Sequence, residues 1–293
     1  MKFYFLLTSL FLCSCSEPAI EKKDSNKVYN QPKKSAESRY VDHIAKLQKK
    51  VPEGFHMQIE KPFVVIGNES KNTVSHRSRK TVRWTVEKLK ESFFSKDPNE
   101  IVDIWLFKDS ETYRKYALKL FRDRPTTPFG YYSPRHESIL MNISTGSGTL
   151  VHEIVHPFMA SNFPECPSWF NEGLASLYEQ CTERYGRIYG LPNWRLKGLK
   201  TAINNGSLMT FENLCSTTDA EFYSQRADKY AQARYLCYYL QEKKLLRKYY
   251  KEFTTNVKDD PTGFKSLKKV LETDDMIAFQ KMWEKWCLEI EYN

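Results

Sequence analysis

Beyond residue 12 the chain has no apolar run long enough to cross a bilayer, which takes about 20 consecutive apolar residues. That excludes an internal transmembrane helix. The N-terminal run from Phe3 to Leu12 reaches only about half of a span; behind Met1-Lys2 it suits the h-region of a signal peptide. None of the cysteines after residue 15 stands in C-x-x-C spacing, which removes cysteine-pair metal sites from consideration. No internal repeat is present, so a repeat array is excluded. No segment marks a peptidoglycan- or host-binding module. Histidine is scarce, at six residues, so any histidine pattern carries weight.

The apolar run ends in Leu12-Cys13-Ser14-Cys15. A small residue before Cys15 and a polar stretch after it resemble a bacterial lipobox, which makes residues 1–14 a signal peptide and Cys15 the lipidated first residue. The non-acidic Ser16 fits sorting to an outer membrane, where the bacterium has one. Residues 15–38 are rich in Lys, Glu, Ser, Asn and Pro and read as a disordered tether. The roughly 250 residues that follow suffice for one sizeable core, and an aromatic content of 14% suits a well-packed domain.

The formal charge is +9, or +8 once Lys2 leaves with the signal peptide. The basic residues are scattered, as in Lys49-Lys50, Arg77-Ser78-Arg79-Lys80 and Arg247-Lys248, and read as a solvated surface. No nucleic-acid partner is expected of an exported lipoprotein. Five cysteines remain: Cys166, Cys181, Cys215, Cys237 and Cys287. An exported chain permits disulfides. Cys166 could pair with Cys181 or either with Cys215, a short-loop bridge worth about 3 kcal/mol. Cys237 and Cys287 stand among apolar residues and read as buried thiols.

Residues 39–145 read as an α/β part and residues 146–293 as a helical part. Tyr40, Ile44, Leu47 and Val51 recur at helical spacing. Phe63–Gly67 and Ile101–Phe107 are strands, Ser75 to Phe94 is a long helix, and Asp109 or Ser110 caps another that ends near Arg122. Gly130 to Ile143 reads as a hairpin turning at Ser133-Pro134-Arg135-His136, which makes His136 a solvated turn histidine. The C-terminal third is helical, including Tyr230–Leu240 and Ala278–Leu288.

The feature that carries chemistry is His152-Glu153-Ile154-Val155-His156, followed by Glu172. On a helix, positions i and i+4 share a face, so both imidazoles reach one metal ion and Glu153 stands beside them as a general base. Gly146-Ser147-Gly148-Thr149 offers turn glycines and N-caps for that helix. Pro167-Ser168 opens a second helix, from whose first turns Glu172 projects.

His152-Glu153-x-x-His156 with Trp169-x-x-Glu172-Gly173-x-Ala175 resembles the gluzincin group of zinc metallopeptidases, and within it the bacterial families with a Trp-x-x-Glu-Gly-x-Ala second motif. The resemblance implies an α+β zincin-like domain with a small mixed sheet, an active-site helix and a helical C-terminal part. It implies one Zn²⁺ held by His152, His156 and Glu172, with Glu153 as general base. It also implies a peptide or protein substrate laid along a sheet edge, for which Ile139, Met141 and Ile143 are the candidate strand; the alternative is an inner strand paired on both sides. Tyr230 matches a tyrosine that faces the substrate carbonyl in such families, the alternative being a core aromatic. The expected activity is peptide-bond hydrolysis at the cell envelope by a lipid-anchored enzyme. A catalytically inactive zinc- or peptide-binding envelope lipoprotein is the alternative.

Two departures qualify the resemblance. Pro157 has no N–H for the Glu153 carbonyl, so a kink is expected after His156. Thermolysin-like enzymes carry an acid four residues after the glutamate ligand, where this chain has Ser176. Metal-bound histidines hand their other N–H to a carboxylate or carbonyl, and the sequence does not name that partner.

Overall fold

Three strands are buried along their whole length and carry mainly apolar residues, as strands covered on both faces do. β2 (Phe63–Gly67), β3 (Val102–Phe107) and β5 (Ser138–Asn142) are buried throughout and run parallel as the centre of a five-stranded sheet. β1 (His56–Glu60) flanks β2 and β4 (Gly130–Ser133) flanks β5, both antiparallel, giving the order β1-β2-β3-β5-β4. A computed structural model describes residues 35–224 and 226–292 of this α+β architecture. Residues 1–34, which hold the expected signal peptide, Cys15 and most of the expected tether, lie outside the described residues.

Side chains alternate across a strand, and the two faces of the sheet build two cores. Val64, Ile66, Trp105, Phe107 and Leu140 pack toward α1 (Ala36–Gln48) and one another. Phe63, Val65, Ile104, Leu106, Ile139 and Met141 point the other way, into the main core. A long helix crosses that face: α2 (Lys71–Arg77), a π-helical stretch (Ser78–Arg83) and α3 (Trp84–Ser92) follow without a break. α4 (Ser110–Tyr116) is capped by Asp109, whose side chain accepts the Thr112 N–H at 2.8 Å.

α5 (Gly148–Asn162) lies on the main-core face and buries Leu150, Ile154, Val155 and Phe158. α6 (Ser168–Leu177) packs against it. A two-stranded hairpin, β6 (Cys181–Arg184) and β7 (Arg187–Gly190), follows. The rest is helical: α7 (Arg195–Asn204), α8 (Phe211–Cys215), α9 (Asp219–Tyr223), α10 (Arg226–Glu242), α11 (Leu246–Asn256), α12 (Phe264–Leu271) and α13 (Met276–Glu289). α10 packs on α6 so closely that a Cβ on Gly173 would stand 3.0 Å from the Ala233 carbonyl oxygen. Gly173 of the second motif is therefore a contact point between helices.

Several expectations need correction. Ser35 caps α1 through the Ser38 N–H, and α1 already covers residues 36–38. The long helix begins at Lys71, capped by Ser70, not near Ser75. β1 and the β6–β7 hairpin were not expected. Ile139 and Met141 belong to an inner strand paired on both sides, and Ile143 opens the 3₁₀ turn Ile143–Thr145. The free edge on this side is β4, because the hairpin folds Gly130–Ser133 outward of β5. α5 runs on to Asn162 through Pro157, the residue at which a kink is expected. All five cysteines are free thiols; Cys166 turns its sulfur to the Pro167 carbonyl, 3.6 Å away. His136 does sit in the turn and is half-buried there, with its ring edge-on to Phe121 and its Nε2 buried.

Candidate metal centre

α5 carries His152 and His156 one turn apart, with ring centroids 4.9 Å from each other. α6 brings Glu172 opposite them. Glu172 faces inward and is buried rather than projecting into solvent. Its Oε2 stands 3.2 Å from His152 Nε2 and 4.0 Å from His156 Nε2, and one ligand atom from each residue lies within 4.8 Å of the others. Zinc–nitrogen and zinc–oxygen bonds of about 2.0–2.1 Å in a tetrahedron separate ligand atoms by roughly 3.3 Å. The observed separations straddle that value.

An orphaned atom supports the same fit. Glu172 Oε2 is buried without a hydrogen-bond partner, although both imidazoles are near it. A buried carboxylate oxygen without a donor is costly, and a cation at the convergence of the three side chains would satisfy it. Two imidazoles and a carboxylate form a ligand set typical of zinc. His152, His156 and Glu172 can therefore hold a metal ion.

Electrostatics agree. Burial alone would lower the His152 pKa, but Glu172 and Glu179 hold the imidazole at about 10. Burial would raise Glu172, but His156 and His152 bring it down to about 2. The site thus favours a positive charge among its carboxylates.

Four neighbours fix the ligands, and none was named from sequence. Asn171 Oδ1 lies 3.0 Å from His156 Nδ1; it directly precedes the glutamate ligand, and that adjacency is a usable signal. Tyr223, the last residue of α9, donates its hydroxyl to Glu172 Oε1 at 2.8 Å, and no spacing reveals it. Glu179 approaches His152 Nδ1 at 3.3 Å. It lies two residues past the end of α6, in the turn before β6, so no helical spacing reveals it. Ser176, at the position where an acid was missing, is fully buried and has no acidic role. Arg195 grips Glu179 with two bonds of 2.9 and 2.7 Å.

The set forms the floor of a cleft of about 1130 Å³. Glu153 sits in its wall, and its Oε2 accepts the Tyr132 backbone N–H at 2.8 Å. Gly130 and Tyr132 of β4 alternate with the residues that pair with β5, so their backbone groups face the cleft. Tyr230 lines the same cleft, with Arg195 5.2 Å over its ring. Ile139, Met141 and Ile143 do not line it. Apart from His152 and His156, the histidines stand elsewhere; His43 pairs with Asp103 at 2.7 Å across the other core. No protein-family model matches the chain, and no curated protein matches it, so the reading of the site rests on its own geometry.

Proposed function

We propose that the chain is a zinc-dependent peptidase of the bacterial cell envelope. One observation carries this: a His-His-Glu set able to hold a metal lies on the floor of an open cleft, between the carboxylate of Glu153 and the free edge of β4. Zinc bound there supplies Lewis acidity, polarising a carbonyl and making water a nucleophile near neutral pH. The chain's residues do the rest. The outward backbone groups of β4 pair with an extended peptide and hold its scissile bond over the site. Glu153 removes a proton as water attacks the carbonyl carbon, then delivers it to the nitrogen as the carbon–nitrogen bond breaks. Tyr230 donates its hydroxyl to the oxyanion.

Localisation belongs to the same proposal. The Leu12-Cys13-Ser14-Cys15 sequence supports export and lipid anchoring through Cys15, with the tether spacing the domain from the membrane. Mass spectrometry of the N-terminal peptide from the exported protein tests it: a diacylglyceryl-modified Cys15 at the N-terminus is the expected product, and an unprocessed Met1 would reject it.

A second reading, a metal- or peptide-binding protein without turnover, draws on the Tyr132–Glu153 hydrogen bond, which occupies one oxygen of the proposed base. Turnover decides between them. Zinc-loaded protein should cleave members of a peptide library, and Glu153→Gln should keep its metal while losing about 10²–10⁴ in rate. Metal uptake with no cleavage of any peptide would favour the second reading.

A further inference from the structure

We infer that Glu179, clamped by the Asn193–Trp194–Arg195 turn, is the positioning residue for His152, in place of the acid absent at Ser176. The inference rests on the metal-centre reading above. Nδ1 of His152 is buried without a hydrogen bond of good geometry, and Glu179 Oε1 stands 3.3 Å from it, within reach as its acceptor. An imidazole that binds metal through Nε2 needs its Nδ1 protonated and its ring held, and an acceptor at Nδ1 does both. Ser176 does not take this part, because no contact joins its buried hydroxyl to His152.

Glu179 is held from three sides. Arg195 takes both carboxylate oxygens through Nε and Nη2, and Asn193 Nδ2 donates to Oε2 at 3.1 Å. The guanidinium is stacked 4.2 Å over Trp194. The backbone is pinned as well: a Cβ on Gly148, the first residue of α5, would overlap the Glu179 carbonyl oxygen at 2.2 Å. α5 thus starts against the residue that orients its own first ligand. A bidentate arginine fixes the plane of a carboxylate in a way a lysine does not. This clamp therefore sets the direction in which Oε1 meets the imidazole. Asn193 and Arg195 come from the turn after the β6–β7 hairpin, which explains why no helical spacing predicts them.

The test is zinc affinity by chelator competition on the full chain, together with the visible absorption of the cobalt-loaded protein. Glu179→Gln keeps the shape but removes the charge, and should weaken zinc binding by about 10- to 100-fold and shift the cobalt bands. Arg195→Gln leaves Glu179 in place without its clamp and should weaken binding by a smaller factor. The double variant should be no weaker than Glu179→Gln alone, because Arg195 acts through Glu179. Unchanged affinity and spectrum in Glu179→Gln would overturn the inference, as would additive losses in the double variant. Should Glu179→Gln fail to fold, Arg195→Gln with affinity and cobalt bands equal to wild type overturns it equally. Wild-type protein that takes up no metal would sink the metal centre itself, a result distinct from either.

Discussion

Tyr223 reaches the metal centre from a short helix fifty-one residues after Glu172 and donates to the oxygen that the histidines do not face. Tyr223→Phe should lower metal affinity about tenfold, since a hydrogen bond to a charged group is worth about 1.5–3 kcal/mol; equal affinity in chelator competition would reject the role. The contrast with the ligands is instructive. His152, Glu153 and His156 were legible because one helix carries them at fixed spacing. Glu172 was legible because it starts a second helix with its own punctuation. Asn171 carried a weaker signal, its adjacency to Glu172, and Glu179, in the turn past α6, carried none. Tyr223 and Arg195 carried none, because chain separation by turns and short helices leaves no period to read. Tyr230 lies in the cleft as expected, but Tyr223 is the tyrosine bonded to a ligand.

Helix contacts govern whether the ligands converge. Gly173→Ala places a methyl 3.0 Å from the Ala233 carbonyl, so α6 and α10 must move apart. Overpacking of this kind costs about 1–3 kcal/mol. Differential scanning fluorimetry should show a lower Tm, and metal affinity should fall with it as Glu172 shifts; a Tm equal to wild type would mean that the helices yield freely. Pro157→Ala should leave metal affinity within about threefold, because α5 already continues past the proline and its imidazoles already converge. The sheet teaches a different lesson. The β5 residues Ser138–Asn142 were legible as a strand, and the turn before them as a hairpin, but strand order is a tertiary property. The unbroken apolar run Ile139-Leu140-Met141 at the centre of β5 was the sign of an inner strand, and it pointed away from an edge. β6 and β7 escaped because Cys181–Gly190 is short, mostly polar and only partly buried.

Protonation and metal binding compete for one site, and the stability of the protein should report it. In the metal-free protein His152 is held at about 10 against an ordinary 6.5, so its contribution is complete below pH 6.5 and is lost as pH rises toward 10. Glu172 and Glu179 sit near 2 against an ordinary 4.5, so theirs is complete above pH 4.5 and is lost as pH falls toward 2. Chelated protein should therefore melt at progressively lower temperature from pH 6.5 to 10. Zinc-loaded protein, whose histidine ligands are neutral, should hold its Tm across the alkaline limb. Parallel curves for the two forms would remove His152 from the metal set. At a thousandfold excess of metal over its Kd, loading should add about 4 kcal/mol, visible as a higher Tm that chelation reverses.

The Tyr132–Glu153 hydrogen bond has one more consequence. A peptide strand that docks on β4 must claim the N–H of Tyr132 for its own carbonyl, and the carboxylate that held that N–H is then released. On the proposed peptidase reading, arrival of substrate and arming of the base become a single exchange, and the resting protein keeps its proposed base sheathed by the very edge that would receive the substrate.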